Sequence, residues 1–193
     1  MLKSKLLAIY GLIPLACLSS FAHAEFIETD LLVQGDALST LDTDSGLEWA
    51  DFSLTMGMSI GEVQDKLNSD FQGWRLPTES EVKDLAFKMF GDVGFNAWGY
   101  YSGYHDNRAE WLSLFGSVSG KFGQTSWGLY ETEQGDIWLT GADQSYLYDG
   151  YHYYAHGMYD NHAYAGVFLV NDGGLSLDSI ANPELNASNP NSP

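Results

Sequence analysis

Polar and apolar positions alternate loosely from Phe26 to Leu41, halt at the turn formers Asp42, Thr43, Asp44, Ser45 and Gly46, and alternate again through Leu47, Glu48 and Trp49. Those signals predict a β-hairpin. The apolar period then changes from two to 3.6. Ile60, Val63 and Leu67 fall on one face behind Ser59, and Glu62 stands three residues after Ser59, the spacing of a capping box. Asn68 ends this first helix. A second begins at Thr78 with Glu81 at the same spacing, carries Val82, Leu85, Ala86 and Met89 on one face, and stops at Gly91. Immediately before it Trp74, Arg75 and Leu76 make a short extended piece, because Pro77 excludes Leu76 from the helical region. GWRLPTESEV, residues 73–82, is therefore read as a strand-to-helix junction.

From Gly91 to Gly128 the chain is rich in glycine, asparagine, serine and aromatics, and only Ala109–Phe115 suggests a helix. Three strand-like runs follow, Gly128–Thr132, Asp136–Thr140 and Tyr164–Val170. The last is apolar almost throughout and predicts a central strand. Two early helices and a long, loop-rich β half define an α+β domain. Residues 182–193 carry almost nothing to bury, so the domain is expected over 25–175 and a disordered tail over 176–193.

Charge and cysteine usage narrow the function classes. Residues 1–24 have the form of an export signal: Lys3 and Lys5, an apolar run from Leu6 to Leu18, and the small-x-small pattern Ala22-His23-Ala24. The apolar run is broken by Gly11 and Pro14 and falls short of the roughly 20 residues that span a bilayer. Leu15 stands where a lipid-attachment site at Cys17 would need a small residue. Cleavage would remove the single cysteine, and with it any disulfide, thiolate catalysis or thiolate metal site. The expected mature chain keeps 26 acids against six bases, a formal charge of −20. Such a surface repels nucleic acid and anionic lipid, so the chain is expected to meet a membrane only during export. A secreted or periplasmic location follows from the same reading.

The residues also resemble a known family. TDSGLEW at 43–49, then a helix, then GWRLPT at 73–78 with Glu81 and Leu85, and finally GVFLV at 166–170 are similar to exported bacterial domains. These include the carbohydrate-binding C-terminal domain of a collagen-like adhesin and proteins with PEP-CTERM sorting tails. The resemblance implies a C-type-lectin-like fold, with two helices flanking a small antiparallel sheet whose first and last strands pair. It casts Trp49, Trp74, Arg75, Leu76, Pro77, Thr78 and Glu81 as structural residues, and puts ligand contacts in the long loops before the closing strand. Asn171-Asp172 stands where the family usually has an arginine. The related formylglycine-generating enzymes need cysteines, which the expected mature chain lacks, so no catalytic residue is assigned.

The remaining candidates lie together. Seven of the twelve tyrosines fall between Tyr146 and Tyr164, interleaved with Asp143, Asp149, Asp160 and Asn161. Flat aromatic faces stack on the apolar patches of a pyranose while acids and amides bind its hydroxyls, so Tyr148, Tyr151, Tyr153, Tyr154, Asp149, Asp160 and Asn161 are the candidate ligand residues. The competing reading packs these tyrosines against the sheet. No metal site is assigned; calcium held by Asp143, Asp149, Asp160 or Asn161 stays open, and no other cofactor is expected. His152 and His156 have a helical metal-pair spacing, but Gly157 and the tyrosines between them disfavour the helix. Asp42-x-Asp44-x-Gly46 reads as an Asx turn rather than half a calcium loop. The expected function is a secreted, non-catalytic module for an extracellular glycan or a cell-surface or matrix component. The alternative is a structural matrix or envelope protein without a small-ligand site.

Overall fold

The computed structural model describes residues 26–91, 100–102, 107–120, 123–152, 158 and 162–183. The architecture among them is α+β, with four helices and two sheets. The expected leader at 1–24 and residues 184–193 lie outside the described residues.

The predicted hairpin is strands β2 (Ser39–Asp42) and β3 (Leu47–Ala50). Asp42 builds its turn: Oδ1 accepts from the amides of Asp44 at 3.1 Å and Ser45 at 3.3 Å, and Gly46 takes φ 70°, a conformation that favours glycine. A lysine holds this Asx turn from outside, since Lys88 Nζ reaches Asp42 at 2.7 Å and Asp44 at 2.9 Å. Burial opposes the Lys88 charge, but the two carboxylates outweigh it and raise its pKa. Strand β1 (Phe26–Thr29) pairs with β2.

Both capping boxes form. Ser59 and Glu62 exchange hydrogen bonds at the start of α1 (Ile60–Lys66), as do Thr78 and Glu81 at the start of α2 (Glu79–Phe90). Each cap satisfies amides that the first turn leaves orphaned and is worth about 1 kcal/mol. Val82, Leu85, Ala86 and Met89 of α2 are all buried. The sequence-predicted helix near Ala109 is α3 (Asn107–Leu114).

Strands β4 (Tyr100–Ser102), β5 (Val118–Gly120), β6 (Gly123–Glu131), β7 (Ile137–Asp143) and β8 (Tyr146–His152) form the second sheet in the order β4-β8-β7-β6-β5. Two core clusters hold the molecule together. One gathers Trp49, Trp111, Phe115 and Phe168 around α2 and α3; the other gathers Ile60, Val63, Trp127, Leu129 and Leu139 around α1.

The closing segment corrects two expectations. Instead of one central strand it makes two short ones, β9 (Gly166–Val167) and β10 (Val170–Asn171), one in each sheet. β9 runs parallel to β6, whereas β10 is antiparallel to β3. Between them Phe168 enters one core cluster and Leu169 the other, which explains an apolar run without strand alternation. Gly128 leaves room for the crossing, because a Cβ there would overlap the Phe168 ring. In the first sheet the order is β1-β2-β3-β10, so the first and last strands lie on opposite sides of the hairpin and do not pair.

A third correction concerns the expected tail from residue 176. Residues Leu177–Ala181 form α4, with Ser176 and Ser179 buried beside Glu48. Glu48 is fully buried on β3, and its carboxylate accepts from the Leu175 amide at 2.9 Å, the Ser176 hydroxyl at 2.6 Å and the Ser179 hydroxyl. A buried carboxylate demands such donors, and these residues supply them. Composition alone conceals that pairing.

Candidate functional site

The GWRLPT junction is a structural joint. Arg75 pairs with Val170 through both backbone groups at 2.9 Å, which seats the junction beside β10. Its guanidinium grips Glu81 with two bonds of 2.9 and 2.7 Å, and Asp172 with one of 2.7 Å. Glu81 in turn accepts from the Thr78 amide at 2.7 Å, so one carboxylate serves both the helix cap and the ion pair. Burial pushes the Glu81 carboxyl up, but the bonds from Arg75 and Thr78 prevail and hold it below its ordinary range. The Arg75 pKa is raised, chiefly by the Glu81 bonds. Trp49 and Trp74 are buried in the core, and Leu76 and Pro77 are half-buried at the turn into α2. Asp172, just past β10, supplies the second carboxylate.

The tyrosine-rich segment begins at the β7–β8 turn. Asp143 Oδ1 accepts from the amides of Ser145 at 2.6 Å and Tyr146 at 2.7 Å, and Oδ2 accepts from the Tyr148 hydroxyl at 3.2 Å. Both carboxylate oxygens thus brace the hairpin. Tyr148 stands opposite Gly141, which stands opposite Trp127 on the next strand. Gly141 has no side chain to separate the rings, so Trp127 and Tyr148 meet edge to face with centroids 5.2 Å apart. A Cβ at Gly141 would overlap the Ser126 carbonyl oxygen.

The aromatic row continues on both sides. Tyr146 lies 6.2 Å from Tyr148, His162 5.6 Å from Trp127, and Tyr164 6.1 Å from His162. Tyr146 is exposed, Tyr148, His162 and Tyr164 are half-buried, and Trp127 is buried beneath them. Tyr100 of β4 takes the register position opposite Tyr148. Burial lowers the His162 pKa, and Nδ1 accepts from the Tyr164 amide at 3.2 Å, a bond that suits the neutral ring.

Of the candidate ligand residues, Tyr148 belongs to this row. Asp149 and Tyr151 lie on β8, where Tyr151 stands opposite Leu139. Tyr153, Tyr154, Asp160 and Asn161 lie outside the described residues. Among the described residues no three His, Cys, Asp or Glu side chains converge as a metal site would require. Neither Trp127 nor His162 is among the candidate residues read from the sequence. Nothing local marks Trp127, since its place in the row depends on strand register across Gly141.

Comparison with family models gives no match, and comparisons with curated proteins and with solved structures give none either. Among the described residues no helix is long and apolar enough to cross a membrane.

Proposed function

We propose that the chain is an exported, non-catalytic binding module of C-type-lectin-like architecture that takes an extracellular polysaccharide at the tyrosine-rich end of the second sheet. The aromatic row running from Tyr146 to Tyr164 carries this reading. It offers rings at graded exposure, from exposed Tyr146 to half-buried Tyr148 and Tyr164, and such faces suit the CH patches of a pyranose. The formal charge of −18 for the whole chain disfavours polyanionic glycans and supports neutral or amino-bearing sugars.

A structural matrix role is the second reading. It is supported by Tyr148, whose ring packs on Trp127 and whose hydroxyl is already bonded to Asp143. A glycan array probed with and without EDTA separates the two. Binding to neutral or amino-bearing glycans supports the module, and its loss in EDTA adds calcium as a partner. A blank array supports the matrix role.

A further inference from the structure

Four of the six large hydrophobic side chains exposed among the described residues cluster on one side of the molecule. Leu32 and Val33 are 67% and 64% exposed on the loop after β1, and Leu177 and Ile180 are 38% and 62% exposed on α4. The two segments are stitched together: the Leu177 amide donates to the Asp30 carbonyl at 2.7 Å, and the Asp30 amide donates to the Asp178 carboxylate at 2.8 Å. Beside them opens an apolar groove of about 290 Å³, floored by Leu54, Phe71, Trp74 and Leu175.

The loop is held rigidly in this arrangement. The Asp36 carboxylate accepts from the amides of Leu31, Leu32 and Val33 at 2.8–2.9 Å, and the Asp30 carboxylate accepts from those of Gly35 at 2.7 Å and Ala37 at 3.1 Å. Two acids therefore fix the loop backbone, with Leu32 at the rim of the groove and both Leu32 and Val33 largely exposed. Exposed apolar surface held in advance binds without a further ordering cost.

Charge identifies the occupant. Asp30, Asp36 and Asp178 stud the patch, and Asp70 lines the groove with Lys66 paired to it at 3.1 Å. A second copy of the chain would set these acids against themselves, and an anionic membrane would be repelled. We propose that this face docks an amphipathic polypeptide segment whose apolar side chains are flanked by lysine or arginine.

The test is a fluorescence-anisotropy titration of the full chain with a labelled amphipathic helix of leucine and lysine, compared with the leucine–glutamate counterpart. Neutral substitutions keep the charge constant: L32S and I180S remove the patch, and F87S removes an equally exposed ring on α2 as a control. The proposal expects the leucine–lysine peptide to bind wild type and F87S alike, with affinity falling about tenfold in L32S and I180S, and expects weak binding of the leucine–glutamate peptide. Equal affinity in all variants would overturn it, as would failure of the leucine–lysine peptide to bind. A wild-type dimer that L32S dissolves would assign the face to a second copy, and wild-type binding to neutral vesicles that L32S abolishes would assign it to lipid; either result overturns the proposal.

Discussion

Replacing Arg75 by lysine keeps the charge and removes the geometry. The guanidinium makes two bonds to Glu81 and one to Asp172, whereas a lysine ammonium is a point charge on a flexible stem and cannot reproduce the fork. At least one or two charge-assisted bonds are lost. Arg75 is 37% exposed, Glu81 22% and Asp172 42%, so solvent screens each of them. After that discount each bond is worth roughly 0.5–1 kcal/mol, and the substitution costs about 0.5–2 kcal/mol. For a chain of this size that lowers the melting temperature by about 1–8 °C. Glu81 keeps its bond from the Thr78 amide, so α2 should stay capped and circular dichroism at low temperature unchanged. Glu81 has its pKa lowered from 4.5, so its contribution is full above pH 4.5 and fades as pH falls through the lower folded value. The gap between wild type and R75K should therefore close in acid. Thermal melts of both proteins at neutral pH and in acid make the check. Equal melting temperatures at neutral pH, or a gap that widens in acid, would refute the reasoning.

Three other perturbations probe the fold and the aromatic row. Glu48→Ala takes the acceptor from the Leu175 and Ser176 amides and a bond from each of the buried Ser176 and Ser179 hydroxyls, which stay bonded to each other, and should cost about 2–4 kcal/mol in urea unfolding, with hydrogen exchange accelerating first in α4. Gly141→Ala forces a Cβ against the Ser126 carbonyl at φ 146° and should cost about 3 kcal/mol or more, read from the same unfolding curves. His162 has its pKa lowered from 6.5 by burial, so the stability it contributes as a neutral ring is complete above pH 6.5 and declines as pH falls through the folded value. An NMR titration of the His162 ring should give a midpoint below 6.5, and a midpoint above it would contradict the packing described.

Local chemistry was legible in the sequence, and long-range chemistry was not. Ser59 with Glu62 and Thr78 with Glu81 announce their helices because the interacting groups are three residues apart. Asp42 to Gly46 announces a turn for the same reason. The break in the closing segment was hidden, since an apolar run looks alike whether it fills one central strand or crosses between two sheets. Glu48 read as an ordinary alternating position until its donors arrived from 128 residues further along the chain. The candidate site divides in the same way. Tyrosine density singled out a segment expected to be loop, whereas Tyr146–His152 form β8, and the contact of Tyr148 with Trp127 exists only because the register places Gly141 between them.

The most direct test of the glycan reading is calorimetric titration of a neutral or amino-bearing oligosaccharide into wild type, Tyr146→Ala and Tyr148→Phe. Tyr146 is 37% exposed and touches the Tyr148 ring, so its loss should lower the melting temperature only modestly, while Tyr148→Phe keeps the ring and gives up the bond to Asp143. The account predicts that Tyr146→Ala weakens binding about tenfold, as the loss of one stacking face should, and that Tyr148→Phe binds nearly as wild type does. Undiminished affinity in Tyr146→Ala, or no heat of binding in the wild-type protein, would contradict it.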